Sequence, residues 1–312
     1  MLNEENLCDL ILEKGEAFLC ETCRRYPRHV EEFAGVREWS LSLSCPTAAE
    51  MMLNNLEKVH FLVDEDEEED PLGDEFQDFD FLLFTQLQDA RSVLFSIVQN
   101  REIPMQKRLS MLMKMAEEIQ NCVDEERLFD MEEIIRQFAG KEAEAMSLLE
   151  TGQKGEQDKE KQKQRYEELK KGFYALKGLE RLRAEWTEVL NTAERTLYLG
   201  SYEAYEEIYE AFCKEYLADE ENQWDIFMEQ LLMFFLYTYF CGAVYDDCIY
   251  SKVGLAVLSV CFIQEFVMCS WFLADKYIDK RECIKLAYQY AREVEHSDEN
   301  LNALEEWLFE VM

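Results

Sequence analysis

Two apolar runs, Ile226 to Tyr245 and Val253 to Ala274, constrain this chain more than any other feature. Each is long enough for a membrane span, which needs about 20 mostly apolar residues. Each is also interrupted by groups that hydrocarbon does not tolerate. The first run contains Glu229 and Gln230; the second contains Gln264 and Glu265 near its middle. A carboxylate at the centre of a span costs a few kcal/mol. The turn between the runs, Asp246-Asp247, is short and acidic. The pattern therefore predicts a helical hairpin buried in a soluble protein rather than in a bilayer. Interior carboxylates such as Glu229 and Glu265 are then expected to be paired or perturbed.

The rest of the chain reads as mainly α, a helical bundle with a small cysteine-rich, loop-rich module at its N-terminal end. Only 11 Gly and 4 Pro occur in 312 residues, which disfavours a turn-rich β fold. Segment by segment, composition divides the chain into a cysteine-rich module (1–60), an acidic linker (61–78), a helical subdomain (79–150), a charged linker (151–171) and a C-terminal bundle (172–312). Within the module, residues 15–46 read as loop, broken by Pro27, Gly35 and Pro46, and Thr47 with Glu50 offers a capping box for a helix reaching Val59. The run Asp64–Asp70 followed by Pro71 and Gly73 reads as solvated linker. In the last segment Tyr202, Tyr205, Tyr209, Phe212 and Tyr216 form an aromatic stripe at helical spacing, a core face whose hydroxyls can also edge a pocket.

The formal net charge of -35 excludes several function classes. It repels phosphate backbones, so nucleic acid is not an expected partner, and it disfavours an anionic membrane surface. It suits a cationic partner such as a lysine-bearing protein, although acidity also serves solubility alone. Met1-Leu-Asn-Glu-Glu-Asn carries no secretory signal pattern, and the 11 scattered cysteines fit a cytoplasmic protein with metal ligands and buried thiols better than a disulfide framework. No Gly-x-Gly-x-x-Gly, P-loop or Gly-x-Ser-x-Gly occurs, so neither a Rossmann methyltransferase nor a nucleotide or serine-hydrolase site is readable.

Four cysteines, Cys8, Cys20, Cys23 and Cys45, precede residue 46. Cys20 and Cys23 have the spacing that lets one turn aim two thiolates at one ion. Arg24, Arg25 and Arg28 follow, and nearby positive charge favours the thiolate form. Four thiolates suffice for an iron–sulfur cluster or, as second choice, tetrahedral zinc. His29 is a further ligand or base candidate, although a lone histidine is more often structural.

The surrounding motifs are more specific than the cysteines. Gly15-Glu16, Leu19-Cys20-x-x-Cys23-Arg24, Tyr26-Pro27-Arg28-His29 and Ser40-Leu-Ser-Leu-Ser-Cys45-Pro46 resemble the cysteine-rich region of flagellin lysine N-methylases. The likeness returns at Ala243-Val-Tyr-Asp-Asp-Cys-Ile-Tyr-Ser-Lys-Val253 and at Glu293-Val-Glu-His296-Ser-Asp-Glu-Asn300. Family members usually carry a further cysteine cluster upstream; this sequence starts after where that would lie, so either its start is truncated or the cluster is incomplete.

The resemblance implies methyl transfer from S-adenosylmethionine to lysine ε-amines of flagellin, with an iron–sulfur centre in the module. Arg24, Arg25 and Arg28 can neutralise such a centre or bind the donor's carboxylate, with pairing to the many surface carboxylates as the alternative. Asp246 and Asp247, assisted by Tyr245, are the candidates for holding the substrate ammonium or accepting its proton, with a polar helix–helix turn as the alternative. His296 is assigned no catalytic role. A non-catalytic metal-binding or interaction protein, a truncated or divergent family member, is the competing reading of the whole chain.

Overall fold

The structure is a computed structural model that describes residues 8–65, 76, 79–140 and 156–310. Short elements come first: helices α1 (Asp9–Lys14) and α2 (Glu21–Arg25), then strands β1 (Arg28–Phe33) and β2 (Val36–Leu41). The strands pair antiparallel, with Arg28 opposite Leu41 and Phe33 opposite Val36. This hairpin corrects the reading of 15–46 as loop. Gly35 is not a breaker but half of a tight turn in which Ala34 and Gly35 both take positive φ, 41° and 96°. Phe33, 2% exposed, anchors the hairpin by stacking on Phe84 at 5.1 Å. Helix α3 (Pro46–Leu53) is capped by Cys45 without a side-chain hydrogen bond, so the Thr47–Glu50 box does not form and the helix stops short of Val59. Asp64 and Glu65 have no regular structure; the remainder of the acidic run, 66–70, lies outside the described residues.

The long helices follow. Asp80 caps α4 (Phe81–Val98), its carboxylate accepting the Leu83 N–H at 2.9 Å. Pro104 precedes α5 (Met105–Asp124), and α6 (Met131–Gly140) follows. The supposed charged linker is, from Glu156 onward, the start of α7 (Glu156–Gly178). Its polar opening gives way to Tyr166, Leu169, Phe173 and Leu176, which are buried. Helices α8 (Ala184–Ala193) and α9 (Tyr202–Phe212) each run directly into a π-helical turn, at Glu194–Tyr198 and Cys213–Leu217. Then come α10 (Trp224–Tyr239), α11 (Ile249–Leu273), α12 (Lys280–Val294) and α13 (Asp298–Glu310).

Helix α11 is the axis of the molecule. It touches α5, α7, α8, α9, α10, α12 and α13, which is why it is apolar on every side. Gly172 of α7 allows one of these approaches: a Cβ there would lie 3.1 Å from ring atoms of Phe262 and Trp307. A single apolar cluster extends from Phe33 to Leu308, so the compositional boundaries near 60, 78, 150 and 171 do not divide the core.

By length and composition, two helical stretches qualify as membrane spans, Glu220–Val244 and Ile249–Leu273, but both are mostly buried against protein. Their polar residues find protein partners. The Glu229 carboxylate accepts from Arg101 at 2.9 Å, Gln264 accepts from the Trp224 indole at 3.3 Å, and Glu265 accepts from the Tyr198 and Tyr205 hydroxyls at 3.0 and 2.9 Å. Groups satisfied in this way need no lipid-facing orientation. The expressed protein is therefore expected to remain in the supernatant without detergent after high-speed centrifugation; recovery only in the membrane fraction would contradict the packing.

Candidate functional site

A cavity of about 710 Å³ opens where the hairpin end of the chain meets the C-terminal bundle. Its volume is in the range of small-molecule sites. One wall comes from α2 and β1 and carries Arg25, Tyr26, Arg28 and His29; the opposite wall carries Tyr239, Glu295 and His296. The two walls are held together by hydroxyls in the segment after β2. Ser42 Oγ lies 2.6 Å from Ser44 Oγ and donates to Glu295 Oε2 at 3.2 Å. Ser44 Oγ lies 2.6 Å from His296 Nε2 and 3.3 Å from the Tyr26 hydroxyl. Arg292 Nε donates to the Ser44 carbonyl at 2.8 Å, and the Tyr26 and His296 rings meet edge to face at 5.9 Å. Strand pairing explains the local geometry. The Ser42 N–H donates to the Pro27 carbonyl at 2.7 Å, so the serine segment continues the line of β2 beside the Tyr26–His29 motif.

Electrostatics divide the cavity. Arg25 and Arg28 supply positive charge on the hairpin side, with Arg25 bridging to Glu21 at 2.5 Å and Arg28 donating to the Arg24 carbonyl at 3.3 Å. On the bundle side, burial pushes the Glu295 carboxyl up to about 8, with the Ser42 hydroxyl opposing the shift. Its second oxygen, Oε1, is buried and has no hydrogen-bond partner. Burial, then Arg292 and Arg183, lower the His296 imidazole below its ordinary value, so it is neutral at neutral pH. Burial holds the Tyr239 phenol well above the usual range, reinforced by Glu295, Glu305 and Glu31. Glu31 also approaches His29, with Oε1 2.9 Å from Nε2.

The residues singled out in the sequence are distributed unevenly around this site. Arg25, Arg28 and His29 line the cavity, whereas Arg24 does not. Cys20 and Cys23, the N-cap and third residue of α2, face each other: contact with Cys23 lowers the Cys20 thiol, and the reciprocal hydrogen bond raises Cys23. Cys8 is near enough for its charge to act on Cys23, while Cys45 interacts with the Tyr26 hydroxyl instead. Among the described residues, no group of three or more His, Cys, Asp and Glu is arranged to hold a metal ion. Of the four cysteines, the structure thus pairs Cys20 with Cys23, with Cys8 beside Cys23 and Cys45 apart from them on Tyr26.

The Tyr245–Asp247 turn is not among the residues lining the cavity. Asp246 bridges Lys252 Nζ at 2.8 Å and accepts the Cys248 N–H, and the Asp247 carbonyl accepts from Gln120 at 2.8 Å. The Tyr245 hydroxyl donates to the Glu32 carbonyl at 3.0 Å, fastening the turn to the hairpin. These contacts are those of a polar helix–helix turn.

Sequence reasoning passed over Glu295, Ser42, Ser44 and Tyr239, and gave His296 no role. The signal was present in part: Ser42 and Ser44 fall within Ser40–Pro46, and Glu295 and His296 within Glu293–Asn300, two of the motifs that carry the family likeness.

No curated protein and no solved structure matches the chain. The model of the FliB lysine N-methylase C-terminal domain matches residues 91–311. The bundle wall of the cavity lies inside that match, and the hairpin wall precedes it. Since the match spans well over half of the chain, the protein belongs to the FliB lysine N-methylase C-terminal domain family.

Proposed function

We propose that the protein transfers a methyl group from S-adenosylmethionine to lysine ε-amines of flagellin, in the cytoplasm, and that the reaction takes place in the cavity between hairpin and bundle. The observation that carries this reading is the division of the cavity. Guanidinium groups stand on one wall and an elevated carboxyl with a free buried oxygen stands on the other. A methyl donor with an amino-acid carboxylate and an incoming lysine ammonium make opposite demands, and the two walls meet them separately.

The donor fits the residues present. In this reading Arg25 and Arg28, both on the cavity wall, hold its carboxylate, and the exposed Tyr26 ring offers an apolar face beside them. When bound, the donor supplies an electrophilic sulfonium methyl. The protein's own contribution is to orient the amine and remove its proton, because only the neutral amine is nucleophilic. The net charge of -35 draws a lysine-bearing surface toward the site.

The direct test incubates purified protein with flagellin and the donor and reads lysine methylation by peptide mass spectrometry. Unmodified flagellin at enzyme excess would reject the reading. Replacing Arg25 and Arg28 together by Ala is expected to raise the KM for the donor about tenfold or more, the size of a lost charge-assisted contact, with little change in the KM for flagellin. We further propose Cys20 and Cys23 as thiolate ligands. Protein purified without oxygen is expected to contain iron or zinc that the Cys20→Ser, Cys23→Ser double variant lacks. Equal metal content in both would remove these thiols from any ligand set.

A further inference from the structure

The hydroxyls between the two walls form a continuous path. Glu295 Oε2 accepts from Ser42 Oγ at 3.2 Å, Ser42 Oγ meets Ser44 Oγ at 2.6 Å, and Ser44 Oγ meets His296 Nε2 at 2.6 Å. One end is the carboxyl group of Glu295, a residue of the cavity lining, whose other oxygen is buried and unpartnered. The other end is an imidazole that reaches the surface. Between them, Ser44 is fully buried and held in register by Arg292 on its carbonyl.

We propose that Glu295, Ser42, Ser44 and His296 constitute a proton wire that conducts the proton of the incoming ammonium from the cavity to solvent. The assignment rests on the lysine-methylation reading above and goes beyond it by naming the base and its discharge route.

The step balances without any further reactant. In the ionised form of Glu295, populated as pH rises toward 8, the ammonium N–H bond breaks, its electron pair stays on nitrogen, and the proton joins the carboxylate. The neutral amine forms a bond to the methyl carbon while the sulfur–methyl bond breaks, and that bond's electron pair returns to sulfur. The Ser42 hydroxyl turns its own hydrogen from Glu295 to Ser44, and rotation about the Glu295 Cγ–Cδ bond presents the new proton to the Ser42 oxygen. Each serine hydroxyl gives up one proton and receives one. His296 becomes an imidazolium and releases the proton to water.

The neighbours suit this role. Tyr239 of α10 and Tyr290 of α12 face Glu295 along with Ser42, and Glu31 of β1 and Glu305 of α13 act on Tyr239 beside it. All are acidic or neutral, so an arriving cation finds no competing positive charge among them. His296 is kept neutral by burial and by Arg292 and Arg183, which leaves Nε2 free to accept. The elevated Glu295 carboxyl is matched to an amine more closely than an ordinary glutamate would be.

Ser42 and Ser44 act through Glu295, so the test must separate conduction from support. Ser44→Ala and Ser42→Ala are each expected to lower kcat for flagellin methylation about tenfold or more with the KM for flagellin unchanged, and added imidazole buffer is expected to restore kcat. In mixtures of light and heavy water the parent is expected to give a curved proton inventory and Ser44→Ala a linear one. Parent-like rates in both variants, or losses that buffer leaves untouched, would overturn the wire. A second readout needs no turnover. Magnetic-resonance titration of the His296 ring is expected to show its own inflection and a second from Glu295; the second disappears in Glu295→Gln and in Ser44→Ala. A ring that titrates identically in all three proteins would overturn the proposal. A parent that fails to methylate flagellin would sink the functional reading, while the ring titration would still decide whether the wire exists.

Discussion

Glu229→Gln is expected to lower the unfolding free energy by roughly 3–5 kcal/mol, the loss seen when one partner of a buried ion pair is removed. Glu229 is 1% exposed and accepts from Arg101 Nε at 3.0 Å and Nη2 at 2.9 Å, and Arg108 Nη1 approaches at 3.5 Å. The two arginines do not respond alike. Arg101 is 34% exposed on its side chain and can turn to water. Arg108 is 1% exposed and cannot. Burial already lowers its guanidinium, with Asp225 and Glu229 pulling the other way. Without the Glu229 charge it keeps the Val98 carbonyl at 2.6 Å and an Asp225 that is largely solvated and 3.5 Å away, and its Nε has no partner at all. The amide preserves the shape of the carboxylate, so the loss is electrostatic and no cavity opens. Urea denaturation of the single variant measures it. Adding Arg108→Met to Glu229→Gln should recover much of the difference, since removing both members of a buried pair costs far less than removing one. A single variant within 1 kcal/mol of the parent would show that Arg108 is satisfied by other means.

This pair also shows how far a sequence can be read. Glu229 announces itself, because a carboxylate inside an apolar run must be paired, neutralised or functional. Its partners do not: Arg101 and Arg108 sit in a segment more than a hundred residues earlier, and nothing local marks them. Glu265 is similar, visible as an interior acid but satisfied by Tyr198, which lies on a π-helical turn that no periodicity announces. The helical hairpin itself was legible, because length, apolarity and the acidic turn are local properties. The β-hairpin was not. Its alternation is weak, His29 to Glu32 being mostly polar on both faces, and its stability comes from Phe33 packing on the distant Phe84. The cavity was legible only as separate motifs. Tyr26–His29, Ser40–Pro46 and Glu293–Asn300 each stand out in the sequence, yet only the fold sets the serine segment within hydrogen-bond distance of both others. The Asp246–Asp247 turn is conspicuous for its charge, and the Asp246 half of it serves Lys252.

The second large effect is a pH dependence of stability assigned to one residue. Burial raises the Glu295 carboxyl from an ordinary 4.5 to about 8 in the folded protein. Between those values the folded chain holds a proton that the unfolded chain has released, so rising pH favours unfolding. The contribution is fully present below pH 4.5 and is lost as pH climbs through 8, at a slope of up to roughly 1.4 kcal/mol per pH unit. Glu293 and Glu305 are raised in the same direction, chiefly by burial, but they are common to parent and variant and cancel in the difference. Glu295→Gln mimics the protonated form and still accepts from Ser42. It is therefore expected to match the parent at pH 5 and to exceed it by a few kcal/mol at pH 8, measured as the change in urea unfolding free energy. An equal difference at both pH values would show that Glu295 titrates normally. The same comparison bears on catalysis. A carboxylate destabilised by its surroundings is one that binds an ammonium and its proton strongly, so the stability that Glu295→Gln gains at pH 8 measures the driving force that the parent applies to the incoming lysine.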